Sequence, residues 1–338
     1  GGVRTFSRKG LEKIFASCGV GKYHFYYPYP DYKFMTTLYS DEYLPGKGEL
    51  SNNMRNFDRD RMLLFDEKNA FDGIVEDKLF PVFSNSYEVI IGDRFDVKYS
   101  RFSNDRAAEY RIRTDICRDA EGKAHVEKHP LCKDAEEHIR GMADAYQSLL
   151  ARYEGGNISV NTCTLMEEDG KVWDSFEFLP GRLLSELLDE CLEKDDLEGF
   201  HKLFCEYVER TGYNPTYPAA DFDMIFSNIM VDGDKWSIID YEWTFGKEVD
   251  PRELAFRAVD CYLLENEKRN KLNLDLIMEK LAITEEEAEN FREQERGFQE
   301  FVTGQHKSMA QMRDLIGNRV LDPRKMIDRM QDMAGISR

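Results

Sequence analysis

The sequence predicts an α+β fold with two lobes, because its strands and helices are segregated along the chain. Between residues 93 and 178, short strand-like segments alternate with polar turns around one amphipathic helix over about Lys133 to Tyr153. From residue 179 onward the pattern is mostly helical, apart from one hairpin. Strands followed by helices are typical of α+β domains, so we expect a strand-rich lobe before a helical one.

The first 92 residues are predicted to be part of a separate domain. Residues 6–18 have the apolar spacing of an amphipathic helix, with Ser7 as its cap. Strand-like residues 23–40 follow, and another strand is expected over 82–91. These elements do not complete a fold and no domain precedes the helix, so we expect a piece of a longer polypeptide.

The last part of the chain, residues 266–338, is predicted to be a helical region. Thr284 and Glu287 have the spacing of a capping box. Larger apolar side chains then recur at roughly heptad spacing, namely Phe291, Phe298, Phe301 and Met309. Two interpretations stay open: a helix packed on its own domain, or a contact between copies of the chain that would form a homo-oligomer.

The charge balance argues against a nucleic-acid partner. The 338 residues include 46 Lys and Arg and 65 Asp and Glu, a net charge of −19. Such a chain has no basic field to attract a phosphate backbone. It could still bind a nucleotide, because Mg²⁺ can bridge carboxylates to phosphates.

Cysteine and histidine usage predicts a cytoplasmic protein without disulfides. The seven cysteines are scattered and form no C-x-x-C pair, which is typical of reduced thiols. The six histidines show no zinc-binding spacing, so isolated surface or core positions are expected. No apolar run reaches the ~18 residues of a membrane span. We therefore expect a cytoplasmic location, free or peripheral to the inner face of the membrane.

The segment from Asp221 to Trp243 carries the residues best suited to chemistry. Two apolar runs flank Asp232-Gly233-Asp234, which predicts a β-hairpin. Folding the hairpin about residue 234 would place Asn228 opposite Asp240, at the ~5 Å separation of paired residues. Asp223 lies five residues before Asn228, near enough for a loop to bring it to the same place.

This combination fits phosphoryl transfer from Mg·ATP. One carboxylate, here Asp223, would orient or deprotonate an attacking hydroxyl. An amide oxygen and a second carboxylate, here Asn228 and Asp240, would hold Mg²⁺ against the phosphates. The alternative is that these residues only cap and close a solvated turn.

The same segment resembles the catalytic and metal-binding loops of the kinase-like superfamily that includes aminoglycoside phosphotransferases and choline kinases. The upstream residues 177–188, EFLPGRLLSELL, resemble the hinge of that family and its following helix. The resemblance implies a protein-kinase-like fold, ATP as cofactor with Mg²⁺, and adenine binding by the backbone of Glu177, Phe178 and Leu179. It also implies Asp223 as the catalytic carboxylate and Asn228 and Asp240 as Mg²⁺ ligands.

The family also has a strand lysine that binds the α- and β-phosphates. Lys128 is the best match in this chain, with Lys98 as an alternative. Its carboxylate partner is expected on the next helix, where Glu136 shares the face of the apolar residues and is preferred over Glu137.

The sequence departs from the family pattern in two places. Asp221 stands where the family commonly has His, two residues before the catalytic carboxylate. The residues in the region of the Gly-rich phosphate loop are SRFSNDR, over 100–106, so backbone amides and the side chains of Asn104 or Arg106 would have to take its place.

Residues 3–92 carry a second resemblance, to the end of a class I S-adenosylmethionine-dependent methyltransferase. The segments FSRKGLEKIF, YYPYPDYKF and YSDEYLP look like its final helix and last antiparallel strands. This order of domains resembles bifunctional O-antigen chain-terminating methyltransferase/kinases. Gly19-Val20-Gly21 follows a helix rather than a strand, so no methyl-donor residue can be assigned and this chain alone should not methylate.

The predicted organisation is therefore a methyltransferase-like part over residues 1–92, a kinase-like domain over 93–265 and the C-terminal helices. The predicted function is ATP-dependent phosphorylation of a hydroxyl on a glycan or small molecule, in bacterial surface polysaccharide biosynthesis. S-adenosylmethionine would be a cofactor only of a full-length protein. Two alternatives remain: a non-catalytic kinase-like scaffold, and a glycosyltransferase that uses Asp221-Phe222-Asp223 as a D-x-D metal motif.

Overall fold

The computed structural model describes residues 5–52, 67–93, 96–304 and 327, which form a mixed α+β structure. They divide into two compact units. The first holds the described residues up to Asp105, and the second is Arg106–His306. Within the described ranges, no helix combines the length and the apolarity needed to cross a bilayer.

The first unit contains an antiparallel sheet and an aromatic core. Its helices are α1 (Arg8–Ser17), α2 (Glu67–Glu76) and α3 (Phe80–Phe83). Its strands are β1 (Tyr23–Tyr29), β2 (Thr37–Ser40), β3 (Glu88–Ile91) and β4 (Val97–Phe102), in the order β3-β1-β2-β4. The buried core side chains are Phe25, Tyr27, Tyr29, Tyr39, Leu50 and Phe80. Tyrosine and phenylalanine dominate because the alternating strand pattern directs these aromatic side chains inward.

Local signals in this unit are confirmed in part. The Ser7 side chain accepts a hydrogen bond from the Gly10 N–H and caps α1. The strand predicted over 82–91 is shorter in the structure, where β3 begins at Glu88. Phe80–Phe83 is instead a short helix with Pro81 in its first turn. Proline favours that position, since its missing N–H has no partner to lose there.

The strand-rich part of the second unit is one antiparallel sheet beside a long helix. Its strands are β5 (Ile112–Arg118), β6 (Ala124–Pro130), β8 (Cys163–Glu168) and β9 (Lys171–Glu177), in the order β5-β6-β9-β8. The helix α4 (Glu136–Arg152) buries Ile139, Met142 and Leu149. These residues recur at helical spacing, so one face of α4 is apolar and packs into the core.

The rest of the second unit is mainly helical. The helices are α5 (Leu184–Glu193), α6 (Leu197–Thr211), α7 (Pro251–Glu265), α8 (Leu274–Leu281) and α9 (Glu285–Thr303). The short strands are β7 (Ser159–Val160), β10 (Arg182–Leu183), β11 (Ala220–Asp221), β12 (Ile229–Asp232), β13 (Lys235–Ile238) and β14 (Thr244–Phe245). They form a sheet of order β10-β12-β13-β7 and a separate β11-β14 pair.

The β12–β13 hairpin forms as predicted, but its register differs by one residue. Asp232 pairs with Lys235, so Gly233 and Asp234 are the whole turn, and Gly233 has φ +59°. The predicted centre at residue 234 is therefore wrong. Asn228 lies opposite Ile239, whose N–H donates to the Asn228 carbonyl at 3.0 Å, and not opposite Asp240.

The helix α9 belongs to the second unit, and its predicted cap is confirmed. Thr284 and Glu287 form a capping box, with the Thr284 side chain bonded to the Glu287 N–H. Phe291 is buried in the core of this unit, and Phe298 contacts Trp243 at a ring-centroid distance of 5.3 Å. Phe301 is 49% exposed. Met309 lies outside the described residues, and a homo-oligomer through these helices stays a prediction.

Candidate functional site

The loop between β11 and β12 carries Asp223 and holds it through a neighbouring amide. Asn228 Nδ2 donates to the Asp223 carbonyl oxygen at 2.9 Å and to Asp223 Oδ2 at 3.1 Å. The Asn228 N–H bonds to the Ile225 carbonyl at 2.9 Å, which closes the turn between the two residues. Two residues selected from the sequence for their spacing are therefore in direct contact.

A second donor reaches Asp223 from α7. Arg257 Nη1 donates to Asp223 Oδ1 at 3.1 Å and to the Phe222 carbonyl at 2.8 Å. The guanidinium is buried and also binds Glu295 on α9. Each carboxylate oxygen of Asp223 thus has its own donor, so the orientation of the group is set from two sides.

Asp221 supports the same loop from the interior. Its side chain is completely buried, and its Oδ1 accepts the Asp223 N–H at 3.0 Å. Burial raises the pKa of Asp221 well above its usual range, and the nearby Asp223 charge adds to this effect. Asp221 is therefore a buried carboxyl group with a raised pKa, in contact with the loop backbone.

Lys128 lies in the middle of β6 and forms an ion pair with Asp240, the residue that follows the β12–β13 hairpin by two positions. Lys128 Nζ is 2.6 Å from Asp240 Oδ1, and the lysine side chain is only 6% exposed. Burial acts to lower the pKa of Lys128, but the carboxylates Asp240 and Glu242 raise it overall. The lysine is therefore a charged group held inside the unit by acids.

Lys128 does not pair with Glu136, the partner that the sequence predicted. Glu136 is the first residue of α4 and is half-buried, and it interacts electrostatically with Arg140 on the same helix. The acidic groups that act on Lys128 are instead Asp240 and Glu242. Only the end of β6 and one turn separate Lys128 from Glu136. This segment is too short for the chain to reverse and bring Glu136 beside the middle of β6.

Glu242 is a buried acid that the sequence reasoning did not select. Arg106 binds it through two parallel hydrogen bonds of 2.7 and 2.9 Å, and His138 on α4 lies 3.2 Å from it. Burial would raise the pKa of Glu242, yet Arg106 and Lys128 hold it well below its usual range. Glu242 is therefore a fixed negative charge beside the lysine. The signal in the sequence was its position, because Glu242 lies only two residues after Asp240.

The residues proposed to replace a phosphate loop are engaged elsewhere. The Arg106 guanidinium is occupied by Glu242, as above. The side-chain amide of Asn104 donates to the Met35 carbonyl at 3.0 Å within the first unit. Lys98, the alternative to Lys128, lies in β4 of that unit. Lys128 is thus the lysine in contact with the Asp240 carboxylate.

The hinge residues follow β9. Glu177 ends the strand, and its carbonyl accepts a hydrogen bond from Asn161 Nδ2 at 3.0 Å. Phe178 is 44% exposed and Leu179 is half-buried. Gly181 has φ +121°, and a Cβ there would lie 2.4 Å from the Val231 carbonyl oxygen. Glycine therefore permits this segment to pass close against β12.

The donor set suits an oxygen-seeking cation. The Asn228 amide nitrogen is occupied by Asp223, and its amide oxygen accepts no hydrogen bond from any described residue. The side chain of Asp240 is 32% exposed. Burial raises the pKa of Asp240, Glu242 and Asp223 raise it further, and Lys128 opposes them. Amide and carboxylate oxygens are the ligands that Mg²⁺ prefers.

Comparisons with known proteins find similarity among solved structures. No protein-family model matches the chain, and no curated protein matches it. Among solved structures, a crystal structure of a kinase domain is similar at 15% sequence identity and a TM-score of 0.33. The similar part covers 46% of this chain and 60% of that one, so the chain spans less than two thirds of that structure.

Proposed function

We propose that the second unit is a kinase-like phosphotransferase, which transfers the γ-phosphoryl group of Mg·ATP to a hydroxyl of a sugar or glycan. The observation that carries the proposal is the ion pair of the buried Lys128 with Asp240, 2.6 Å long between residues 112 positions apart. Phosphoryl transfer needs a fixed lysine for the phosphates and a carboxylate for the metal at one place. This ion pair supplies both groups.

Asp223 is the proposed base for the acceptor hydroxyl. Arg257 and Asn228 each donate to one of its oxygens, so the carboxylate cannot rotate freely. A carboxylate has about four acceptor positions, so two remain for the hydroxyl that attacks. The oriented oxygen would accept the hydroxyl proton as the hydroxyl oxygen bonds to the γ-phosphorus, while the bond from that phosphorus to the β-phosphate oxygen breaks and ADP leaves.

The metal and nucleotide contacts follow from the same residues. Asn228 and Asp240 would hold Mg²⁺, which would neutralise charge on the β- and γ-phosphates. Lys128 would donate to the α- and β-phosphate oxygens, and the backbone of Glu177, Phe178 and Leu179 would bind the adenine. Glu242, fixed by Arg106, would balance the lysine charge with Asp240 as a metal ligand.

One alternative function is disfavoured by the burial of Asp221. A D-x-D glycosyltransferase motif needs both carboxylates available to a metal and a nucleotide-sugar. Asp221 is completely buried and one of its oxygens accepts the Asp223 N–H. The non-catalytic scaffold predicts no phosphate transfer, which the second test below measures.

The first test is the unfolding midpoint of the chain against ATP, with and without Mg²⁺. All three tryptophans, Trp173, Trp236 and Trp243, lie in the second unit, so their fluorescence reports on it alone. We expect a Mg²⁺-dependent stabilisation of about 2.7 kcal/mol at ~100 times the Kd. Asp240→Asn should abolish it, and Asp234→Asn, the same change in the exposed hairpin turn, should keep it.

The second test measures phosphate transfer to a panel of sugars, oligosaccharides and amino alcohols. Transfer that needs Asp223 supports the proposal and identifies the acceptor. Binding of Mg·ATP without transfer to any acceptor would favour the scaffold. Stabilisation by a nucleotide-sugar in place of ATP would favour the glycosyltransferase.

We propose that the first unit is the end of an S-adenosylmethionine-dependent methyltransferase domain, in a longer enzyme of bacterial surface polysaccharide synthesis. Its antiparallel strands and aromatic core are compatible with the end of such a sheet. We expect this chain to bind no S-adenosylmethionine in equilibrium dialysis, and binding would contradict this part of the proposal.

A further inference from the structure

One face of the β5–β6 sheet carries a set of metal-binding side chains that the proposed function does not use. Cys117 in β5 lies directly across from His125 in β6. Glu127 is two residues farther along β6 and therefore on the same face. The ligand atoms of these three residues all lie within 4.8 Å of one another. Lys128 faces the other side of the strand, so this cluster is separate from the site around Asp240.

The distances within the cluster suit a tetrahedral cation. Glu127 Oε1 is 3.2 Å from His125 Nε2, and Glu127 Oε2 is 3.7 Å from Cys117 Sγ. Zinc bonds of about 2.0–2.3 Å place neighbouring ligand atoms of a tetrahedron roughly 3.3–3.7 Å apart. The two separations involve different oxygens of Glu127, and a single one of them would bind the cation. A rotation of the side chains would bring the three ligand atoms, which lie within 4.8 Å of one another, to this spacing.

Two further groups support the cluster. His129 Nε2 is 2.9 Å from Glu127 Oε2, on the side of the carboxylate away from His125. Asp115, directly across from Glu127, is 1% exposed, and its Oδ1 has no hydrogen-bond partner among the described residues. A buried carboxylate oxygen without a donor is costly. A cation with a bound water in this cluster would provide that donor.

We propose that Cys117, His125 and Glu127 bind a divalent transition-metal cation of the zinc type, and that His129 is a positioning residue for Glu127. The Cys117 thiol loses its proton to solvent as the sulfur–metal bond forms, with no change in oxidation state. Sulfur and imidazole ligands select such a cation over Mg²⁺. Three protein ligands leave one position for water. This inference does not depend on the proposed phosphotransferase activity.

The exposure of the three side chains is compatible with loading from solvent. The side chains of His125 and Glu127 are 26% and 24% exposed, whereas Cys117 is buried beneath them. The cation would therefore meet the imidazole and the carboxylate first and the sulfur last. Binding would tie β5 to β6 on the face opposite to Lys128.

The test is a titration of the full chain with Co²⁺ in the presence of a reductant that contains no thiol. Tetrahedral Co²⁺ gives visible d–d bands, and a cobalt–thiolate bond adds a near-ultraviolet charge-transfer band. We expect one equivalent to develop both, and Zn²⁺ to remove them by displacement. His129→Gln should weaken the affinity 10- to 100-fold, as changes behind a metal ligand typically do.

Two variants and a control separate this site from an adventitious one. Cys117→Ser should lose the charge-transfer band, and His125→Gln, at a more exposed position, should weaken binding without threatening the fold. Cys205→Ser is the control, because Cys205 is an exposed thiol on α6 with His201 one turn before it. Absence of Co²⁺ binding, a band that persists in Cys117→Ser, or a band lost in Cys205→Ser would each overturn the proposal. An unchanged Mg·ATP response in Cys117→Ser would show that the two sites are independent.

Discussion

Asp174 lies in β9 directly across from Lys128, and we expect its ionisation to destabilise the second unit. The carboxyl group is completely buried, and neither oxygen has a hydrogen-bond partner of normal geometry among the described residues. Burial raises the pKa of Asp174 to about 7, against the lowering effects of the Cys163 thiol and the Lys128 charge. The folded protein therefore keeps a proton there that the unfolded chain has lost.

The magnitude follows from the difference between the two pKa values. An aspartate at its model value of 3.8 and one at about 7 differ by roughly three units. At about 1.4 kcal/mol per unit, that is about 4 kcal/mol of unfolding free energy. Because the pKa of Asp174 is higher in the folded state, the protonated carboxyl stabilises the fold. This stabilisation is complete below the pKa of the unfolded state and is lost as the pH rises through the pKa of the folded state. Between about pH 5 and pH 8 the loss should be about 3 kcal/mol.

The perturbation is Asp174→Asn, which has the same shape and does not titrate. The assay is urea unfolding at several pH values followed by tryptophan fluorescence, which reports on the second unit. We expect the variant to gain about 3 kcal/mol over the native chain between pH 5 and pH 8. Asp169→Asn, in the exposed β8–β9 turn, controls for the substitution itself. A difference in unfolding free energy between Asp174→Asn and the native chain that does not change with pH would refute the reasoning. A native chain that gains stability with pH would instead indicate an ionised Asp174 paired with Lys128.

Three further predictions concern the site and its frame. Asp223→Asn should lower phosphate transfer by about 10²–10⁴-fold and leave the Mg·ATP stabilisation in place, and transfer at the native rate would contradict its role as base. Arg257→Lys should lower kcat more than it changes KM, because a lysine cannot reproduce the forked contact, and steady-state kinetics measures the split. Gly181→Ala should lower the unfolding free energy by more than about 1 kcal/mol, because its Cβ would meet the Val231 carbonyl at 2.4 Å. A fluorescence-monitored unfolding curve that matches the native one would contradict this last prediction.

Local signals in the sequence predicted local structure well. The Ser7 cap and the Thr284–Glu287 capping box depend on groups three residues apart, and both form. The contact of Asn228 with Asp223 depends on a five-residue loop. The hairpin also forms, but its register was wrong by one residue, because the pattern of apolar residues does not say whether two or three residues make the turn.

Long-range partners could not be predicted in the same way. The helix pattern favoured Glu136 for Lys128, whereas the lysine binds a carboxylate 112 residues away. No motif in the sequence includes Arg257, and its contact with Asp223 depends on where α7 packs. The cluster around Cys117 has no zinc-like spacing, because its ligands meet across two strands and not along one.

The sequence by itself determined the types of chemistry available in this protein. It contains an Asp, an Asn and a second Asp at spacings that one loop and one hairpin bring near each other, and these are short-range constraints of the backbone. The tertiary structure alone decided which opposite charge each buried charge meets: Lys128 meets Asp240, Glu242 meets Arg106, and Arg257 meets Asp223. A buried charge must find an opposite charge wherever packing places one, and that partner can lie at any distance along the chain.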